Sequence, residues 1–127
     1  MDSKTKKEWL KALRSGEYKQ GDGALRKEVA CHIAEEPDTE ERFCCLGVLC
    51  DLVEPNQWRR LNNEWVNGVS SDDGGMPRKD LLEELGLDRN INRSGRKNST
   101  IAEHLAHMND GGKTFKEIAN WIEKRSF

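Results

Sequence analysis

The sequence has no run of about 20 apolar residues, the length that a transmembrane helix needs, so we expect no membrane-spanning segment. It also lacks the pattern of a secretory signal, because the basic N-terminal stretch contains no continuous apolar region. Neither sign of charge prevails: 21 basic and 23 acidic side chains give a net charge of −2, which makes nucleic acid an unlikely partner. These absences predict a cytoplasmic protein with reduced cysteines.

Motifs of common metal and nucleotide sites are also missing. The four cysteines form no CxxC pair, and neither GxxxxGK[ST] nor GxGxxG occurs. Among the three histidines, only His104 and His107 share a helical spacing, and two surface histidines explain that spacing more simply than a metal site. We therefore predict neither a metal nor a cofactor.

Helical periodicities with start and stop signals account for much of the chain. Apart from the central helix, the predicted helices cover residues 3–14, 24–34, 78–85 and two C-terminal stretches whose capping boxes are Thr100 with Glu103 and Thr114 with Glu117. Residues 24–34 are ambiguous. Leu25, Val29 and Ile33 recur every four residues as in a helix, whereas Cys31 completes an alternation typical of a strand. We predict a helix there.

The most apolar stretch, FCCLGVLCDLV over residues 43–53, predicts a buried central helix. One helical face would carry Leu46, Leu49, Cys50 and Val53. Phe43 would extend that face by one turn. Gly47 costs roughly 1 kcal/mol of helix stability relative to alanine, so we expect it to let another backbone approach closely.

Residues 57–68 predict a β-hairpin with Trp58 and Trp65 on its two arms. Two further polar stretches predict loops: the acidic stretch that contains Pro37 and a basic loop over residues 88–98. The predicted fold class is α+β, a mostly helical single domain with a small antiparallel β-hairpin and a C-terminal helical hairpin.

The basic loop is the first candidate site. Four cations fall within nine residues of it: Arg89, Arg93, Arg96 and Lys97. Guanidinium groups bind phosphate through two hydrogen bonds, and the loop leads into a helix N-terminus, which favours anions. Trp58 or Trp65 could stack on a base. This composition indicates a site for a small anionic ligand of the nucleotide type, bound without catalysis.

Two alternatives remain open. Cys44 or Cys45 at a helix N-terminus could be the nucleophile of a hydrolase, with His32, His104 or His107 as its base. Buried cysteine, however, more often packs as a small apolar group. The tryptophan-bearing hairpin could instead present a surface that binds and inhibits a host protein, although packing of both rings in the core is favoured.

Three motifs carry a resemblance to known proteins. They are W-L-x-A-L-x-S-G-E-Y-x-Q-G over residues 9–21, F-C-C-L-G-V-L-C-D-L over residues 43–52 and H-M-N-D-G-G-K-T-F-K-E-I-A-N-W-I-E over residues 107–123. Together they resemble a group of small accessory proteins of tailed bacteriophages and prophages. The resemblance implies action in the cytoplasm of the infected bacterial host, by binding, and it assigns no catalytic residue. Residues 31–41 are extra length beside the shorter members of this group, which implies an exposed excursion there. By analogy, the expected function is counter-defence through sequestration of a nucleotide-type immune signal, and a homo-oligomer is compatible with it.

Overall fold

The computed structural model describes residues 1–31, 38–61, 64–67, 76–91 and 99–125. In chain order its elements are α1 (Ser3–Ser15), β1 (Arg26–Cys31), β2 (Asp38–Phe43), α2 (Cys45–Val53), β3 (Trp58–Leu61), β4 (Glu64–Asn67), α3 (Lys79–Leu85), β5 (Asn90–Ile91), β6 (Ser99–Thr100), α4 (Ile101–Asp110) and α5 (Phe115–Glu123). The predicted fold class is confirmed, because helices combine with antiparallel sheet in one α+β architecture.

Helix α2 is the buried centre of the fold, as its composition predicts. Its residues from Cys45 to Cys50 are all buried, and α1 and α4 pack against it. Trp9 of α1 is 0% exposed and donates from its indole nitrogen to the carbonyl of Cys45 at 2.9 Å. A Cβ atom on Gly47 would lie 1.8 Å from the carbonyl oxygen of Leu25, so the expected close approach of another backbone is confirmed.

The start of α2 differs from the prediction by one turn. Phe43 ends β2 and does not extend the helical face. Cys44 is the N-cap, with an extended backbone, and its sulfur accepts a hydrogen bond from the N–H of Gly47 at 3.3 Å. The strand continues to Phe43 because β1 pairs with β2 up to that residue.

The prediction of a helix over residues 24–34 is wrong. Six consecutive residues there form β1, which pairs antiparallel with β2 along its whole length and with β4 at its beginning. The 31–41 segment is therefore partly sheet and not simply an excursion, although residues 32–37 lie outside the described part. Local spacing could not reveal this strand, because the backbone partners that stabilise it lie elsewhere in the chain.

The predicted tryptophan hairpin is present as β3 and β4, in which Arg60 pairs with Trp65 and Trp58 pairs with Asn67. Its turn, residues 62–63, lies outside the described part. With β1 and β2 it forms a four-stranded sheet in the order β2-β1-β4-β3, which is larger than the small hairpin expected from the sequence.

The C-terminal helical hairpin begins where its capping signals indicate. Thr100 and Glu103 form both hydrogen bonds of a capping box at α4. Thr114 accepts from the N–H of Glu117 at 3.2 Å and so caps α5. Helix α5 packs on α1 and brings both ends of the chain onto one core.

Part of the predicted basic loop over residues 88–98 is strand, because Asn90–Ile91 form β5 and pair with β6, while residues 92–98 lie outside the described part. Ahead of it, α3 ends at Gly86, whose φ of 74° is the left-handed conformation expected of a C-terminal glycine. Within the described residues, no helix is both long enough and apolar enough to span a membrane.

Candidate functional site

The three sequence motifs meet at the side chain of Asn109, which lies near the C-terminal end of α4 and is 3% exposed. Its Oδ1 accepts from the backbone N–H of Cys45 at 3.2 Å and from the Nε2 of Gln20 at 3.0 Å. Its Nδ2 donates to the carbonyl of Gly21 at 2.7 Å. We call this arrangement the Asn109 junction. It links the segment after α1 with the beginning of α2 and the end of α4.

Gln20 extends the junction to the beginning of α5. Its Nε2 also donates to the carbonyl of Lys113 at 2.6 Å, and its Oε1 accepts from the N–H of Phe115 at 3.0 Å. Nearby, Asp110 accepts from the N–H of Gly23 at 3.0 Å. These bonds satisfy both ends of the Gln20 amide, so the segment and the α4–α5 turn are held in one fixed arrangement.

A cleft of about 340 Å³ opens beside the junction. Gln20, Gly21 and Asn109 contribute to its walls, and its charged lining residues are Asp22, Lys27, Arg42 and Lys113. Lys27 and Arg42 face each other in the register of β1 with β2, and Lys113 comes from the turn before α5. We call it the cationic cleft, since three of its four charged side chains are positive.

Each cation of the cleft also contacts a carboxylate. Lys27 lies 3.0 Å from Asp22 and Arg42 lies 3.2 Å from Glu40, while Lys113 pairs with a glutamate on α5 at 3.5 Å. The hydrogen bond from Lys27 lowers the pKa of Asp22, so this carboxylate is ionised at neutral pH. The side chains of Arg42 and Lys113 are 44% and 57% exposed. They can therefore turn towards a solute.

The sequence prediction placed the ligand at the basic loop. Arg89 is exposed, follows α3 and accepts a backbone hydrogen bond from Ile101 at 2.9 Å. Arg93, Arg96 and Lys97 lie outside the described residues, so their role stays a prediction. Sequence reasoning did not assign a role to the cleft cations or to Asn109. In the sequence, the cleft cations and Asn109 are marked only by lying within or near the three motifs.

Both predicted stacking residues are half-buried and have contacts within the protein. Trp58 donates from its indole nitrogen to the Oδ1 of Asp51 at 3.0 Å. The guanidinium of Arg26 lies over both indoles, 5.5 Å from the Trp58 ring centre and 4.2 Å from that of Trp65. The cation that contacts both rings is thus Arg26, a strand residue, and not a residue of the basic loop.

The tryptophans and the cationic cleft lie on opposite faces of the sheet. Arg26 pairs directly with Phe43 and Trp65, which puts these three on one face. Lys27 and Arg42 are their immediate neighbours along the strands, and successive residues of a strand point to opposite faces. We call the face that carries Arg26, Phe43 and Trp65 the aromatic face. A base stacked there could not belong to a ligand held in the cleft.

Tyr18 completes the aromatic face. Its hydroxyl donates to the Oδ2 of Asp51 at 2.6 Å, and its ring meets that of Phe43 edge to face with 5.0 Å between the centres. Burial, together with that hydrogen bond, raises the pKa of Tyr18. By contrast, the indole nitrogen of Trp65 and the Nε of Arg26 are buried without a hydrogen-bond partner among the residues that the structure describes.

The candidate nucleophiles have the opposite environment from the one that a reactive thiol requires. Cys44, Cys45 and Cys50 are all buried. Burial raises the pKa of Cys44 to about 11 and also raises the pKa of the other two thiols. Cys45 donates to the carbonyl of Leu105 at 3.6 Å. Reactive thiols have lowered pKa values and solvent access, so this geometry favours packing as the role of these cysteines.

The structure describes two of the three candidate bases, and both lie on α4. His104 is buried on α4 and packs against Trp121 with 4.8 Å between the ring centres, and His107 is exposed. His32 lies outside the described residues. Within the ranges that the structure describes, no three histidine, cysteine, aspartate or glutamate side chains are grouped closely enough to hold a metal ion.

The fold and the site define a small α+β domain whose cationic cleft is built on a buried asparagine. The chain belongs to the family described as a domain of unknown function, DUF8296, which matches residues 1–126. That match includes all three motifs and every residue that lines the cleft. No curated protein and no solved structure matches the chain.

Proposed function

We propose that the protein binds a small anionic ligand of the nucleotide type in the cationic cleft, without catalysis. The supporting observation is that Lys27, Arg42 and Lys113 come from three separate elements and line one cleft. Asn109 and Gln20 fix the wall between them, so less entropy is lost when a ligand binds. The cleft's 340 Å³ lies near the lower end of small-ligand sites, which suits a mononucleotide or its phosphate portion.

The charge pattern favours a ligand with more than one negative charge. Asp22, Glu40 and a glutamate of α5 already neutralise the three cations, and an incoming anion must replace them. A single carboxylate would exchange one ion pair for another with little gain. A phosphoryl dianion or a diphosphate contacts several cations at once and forms charge-assisted hydrogen bonds.

The resemblance to phage accessory proteins suggests a biological role for such binding. The ligand would be a nucleotide-type immune signal in the cytoplasm of the infected host, held unchanged and thereby kept from its receptor. The burial of the candidate thiols supports a role without chemistry. Arg89, Arg93, Arg96 and Lys97 stay candidates for a second set of phosphate contacts under this proposal.

Thermal melting against pyrophosphate, mononucleotides, cyclic di- and trinucleotides and ADP-ribose derivatives tests the proposal. A ligand at 100 times its dissociation constant should stabilise the fold by about 2.7 kcal/mol. Lys27→Gln and Arg42→Gln should each weaken binding about tenfold or more, because each removes a charge-assisted contact. Lys116→Gln is the matched control, since Lys116 is exposed on α5 and does not line the cleft.

Two results would overturn the proposal. One is the absence of any melting shift across the panel. The other is an equal loss of binding in the Lys116→Gln control, which would indicate attraction by net charge alone. Recovery of the bound compound unchanged after heating separates sequestration from hydrolysis. A cleaved product would point to an enzyme instead.

A further inference from the structure

A second and larger cavity, about 640 Å³, lies between α1, the end of α2 and α3. Its lining includes the apolar side chains of Leu52, Val53, Leu81 and Leu85, which we call its floor. Leu81 and Leu85 are buried towards the core, whereas Leu52 and Val53 are half-buried and so present apolar surface to the cavity. We call it the acidic groove because of the charges on its rim.

The rim is dominated by carboxylates. Asp2, Glu8 and Glu84 are exposed around the opening, and Lys4 is the one cationic side chain among the described residues that line it. The hydrogen bond from the N–H of Thr5 lowers the pKa of Asp2, so its carboxylate is charged at neutral pH. The groove thus has the opposite charge from the cationic cleft.

Glu54 adds a carboxylate at the base of the groove. Its Oε2 accepts from Arg78 at 2.6 Å, while its Oε1 is shielded from solvent and has no hydrogen-bond partner among the described residues. Because Arg78 already forms an ion pair with Glu54, this carboxylate adds little attraction for an incoming cation. The charge that the groove offers to a partner therefore comes from the exposed carboxylates of its rim.

We propose that the acidic groove docks a basic amphipathic helix of a partner protein. The apolar face of that helix would cover Leu52 and Val53, and its lysines or arginines would lie beside Glu8 and Glu84. Recognition of an amphipathic helix in an apolar groove is a common binding mode, and complementary charges on the rim set its specificity. An anionic ligand is disfavoured here, so this surface is independent of the cationic cleft.

A labelled leucine–lysine peptide of about 18 residues, with helical periodicity, is the probe. We expect fluorescence anisotropy to show binding at about 0.15 M salt. The double variant Glu8→Lys/Glu84→Lys should weaken it about tenfold or more. Glu17→Lys/Asp88→Lys makes the same change in net charge at exposed positions outside the groove, and it should have less than about a twofold effect.

Two further measurements separate docking from simple charge attraction. Val53→Thr places a hydroxyl in the floor at nearly constant volume and should weaken the peptide about threefold. A peptide with glutamate in place of lysine should not bind. Absence of binding to the unmodified protein, or equal losses in the two charge-reversed variants, would overturn the proposal. Anion binding at the cationic cleft should be the same in all these variants, so failure of one proposal leaves the other distinguishable.

Discussion

The Asn109 junction and the aromatic face both contain buried polar groups, and they differ in how these groups are hydrogen-bonded. The oxygen and the nitrogen of the Asn109 side chain each form a hydrogen bond to backbone, and the oxygen also accepts from Gln20. On the aromatic face, Trp58 is paired with Asp51, but the indole nitrogen of Trp65 has no partner. A buried polar group whose hydrogen bonds are satisfied favours a single arrangement of the groups around it. A buried polar group without a hydrogen-bond partner lowers the stability of the fold, so its removal should cost little free energy.

The difference indicates where the fold is least tolerant of change. The junction and the adjacent beginning of α2 connect three distant parts of the chain through contacts to backbone atoms. A substitution there therefore cannot be accommodated by the movement of one side chain. The aromatic face holds its rings by stacking and by the Arg26 cation, contacts that smaller rings retain in part. Substitutions in the two regions should therefore differ in cost.

The largest effect is expected from Gly47→Ala, next to the junction. The added Cβ would lie 1.8 Å from the carbonyl oxygen and 2.6 Å from the carbonyl carbon of Leu25, and both atoms are backbone. Urea unfolding should show a loss of about 4 kcal/mol or more, a large share of a typical domain's stability. Gly16→Ala is the control: its φ is 78° but the space around it is open, so about 1 kcal/mol is expected. Equal costs at the two glycines would contradict the close approach.

Asn109→Ala should have the next largest effect. It leaves the buried N–H of Cys45 and the carbonyl of Gly21 without their partner, which should cost about 3 kcal/mol in urea unfolding. Asn120→Ala is the matched control: Asn120 is exposed on α5 and accepts from Arg14 at 2.9 Å, and the loss of this solvent-exposed hydrogen bond should cost less than about 1 kcal/mol. A small effect at Asn109 would mean that the junction does not specify the fold.

Alkaline pH should lower the free energy of unfolding, because the thiols at the start of α2 are buried in the folded protein and ionise more readily in the unfolded state. The pKa of Cys44 is about 11 in the folded protein, whereas an unfolded thiol titrates near pH 8.5. Between these values the unfolded state binds fewer protons, so stability is complete below about pH 8.5 and falls as pH rises. Cys44 should contribute up to about 1.4 kcal/mol per pH unit. Urea unfolding between about pH 8 and pH 10 should show a shallower decline for Cys44→Ala, and an unchanged slope would contradict the burial effect.

The smallest effects are expected on the aromatic face, where one substitution can be made at two sites. Trp65→Phe removes an indole nitrogen that has no hydrogen-bond partner among the described residues. The stability gained by its removal should offset the stability lost with the smaller ring, so the change in stability should be near zero. Trp58→Phe removes the hydrogen bond to Asp51 and should cost about 1 kcal/mol more. Thermal melting of the two variants measures the difference. A larger cost at Trp65 would show that its ring packing outweighs the unpaired nitrogen.

Short-range signals predicted much of the helical architecture. The capping box of Thr100 with Glu103 marks the beginning of α4, and Gly86 marks the end of α3, because both act within one turn of the chain. The apolar run around Gly47 gave both the buried helix and the need for close approach. The strand β1 was missed because its stability depends on pairing with β2 and β4, and its own spacing is compatible with a helix.

The candidate site was less accessible from the sequence than the fold. The partners of Asn109 lie 64 and 89 residues away along the chain, at Cys45 and Gln20. Lys27 and Arg42 are ordinary surface cations until the strand register brings them together beside Lys113. The sequence pointed to the basic loop because its charges are neighbours along the chain. A single sequence shows this kind of charge cluster, but it does not show charges that only the fold brings together.

By itself, the sequence determined the α+β class, the buried central helix, the tryptophan hairpin and the capped C-terminal helices, since periodicity and capping depend on residues a few positions apart. The tertiary structure alone decided that residues 26–31 are a strand, that Asn109 joins three motifs and that cations and carboxylates gather at two separate cavities. The physical reason is range. Strand pairing, buried hydrogen bonds and cavity electrostatics depend on groups that only the folded chain brings within a few ångströms.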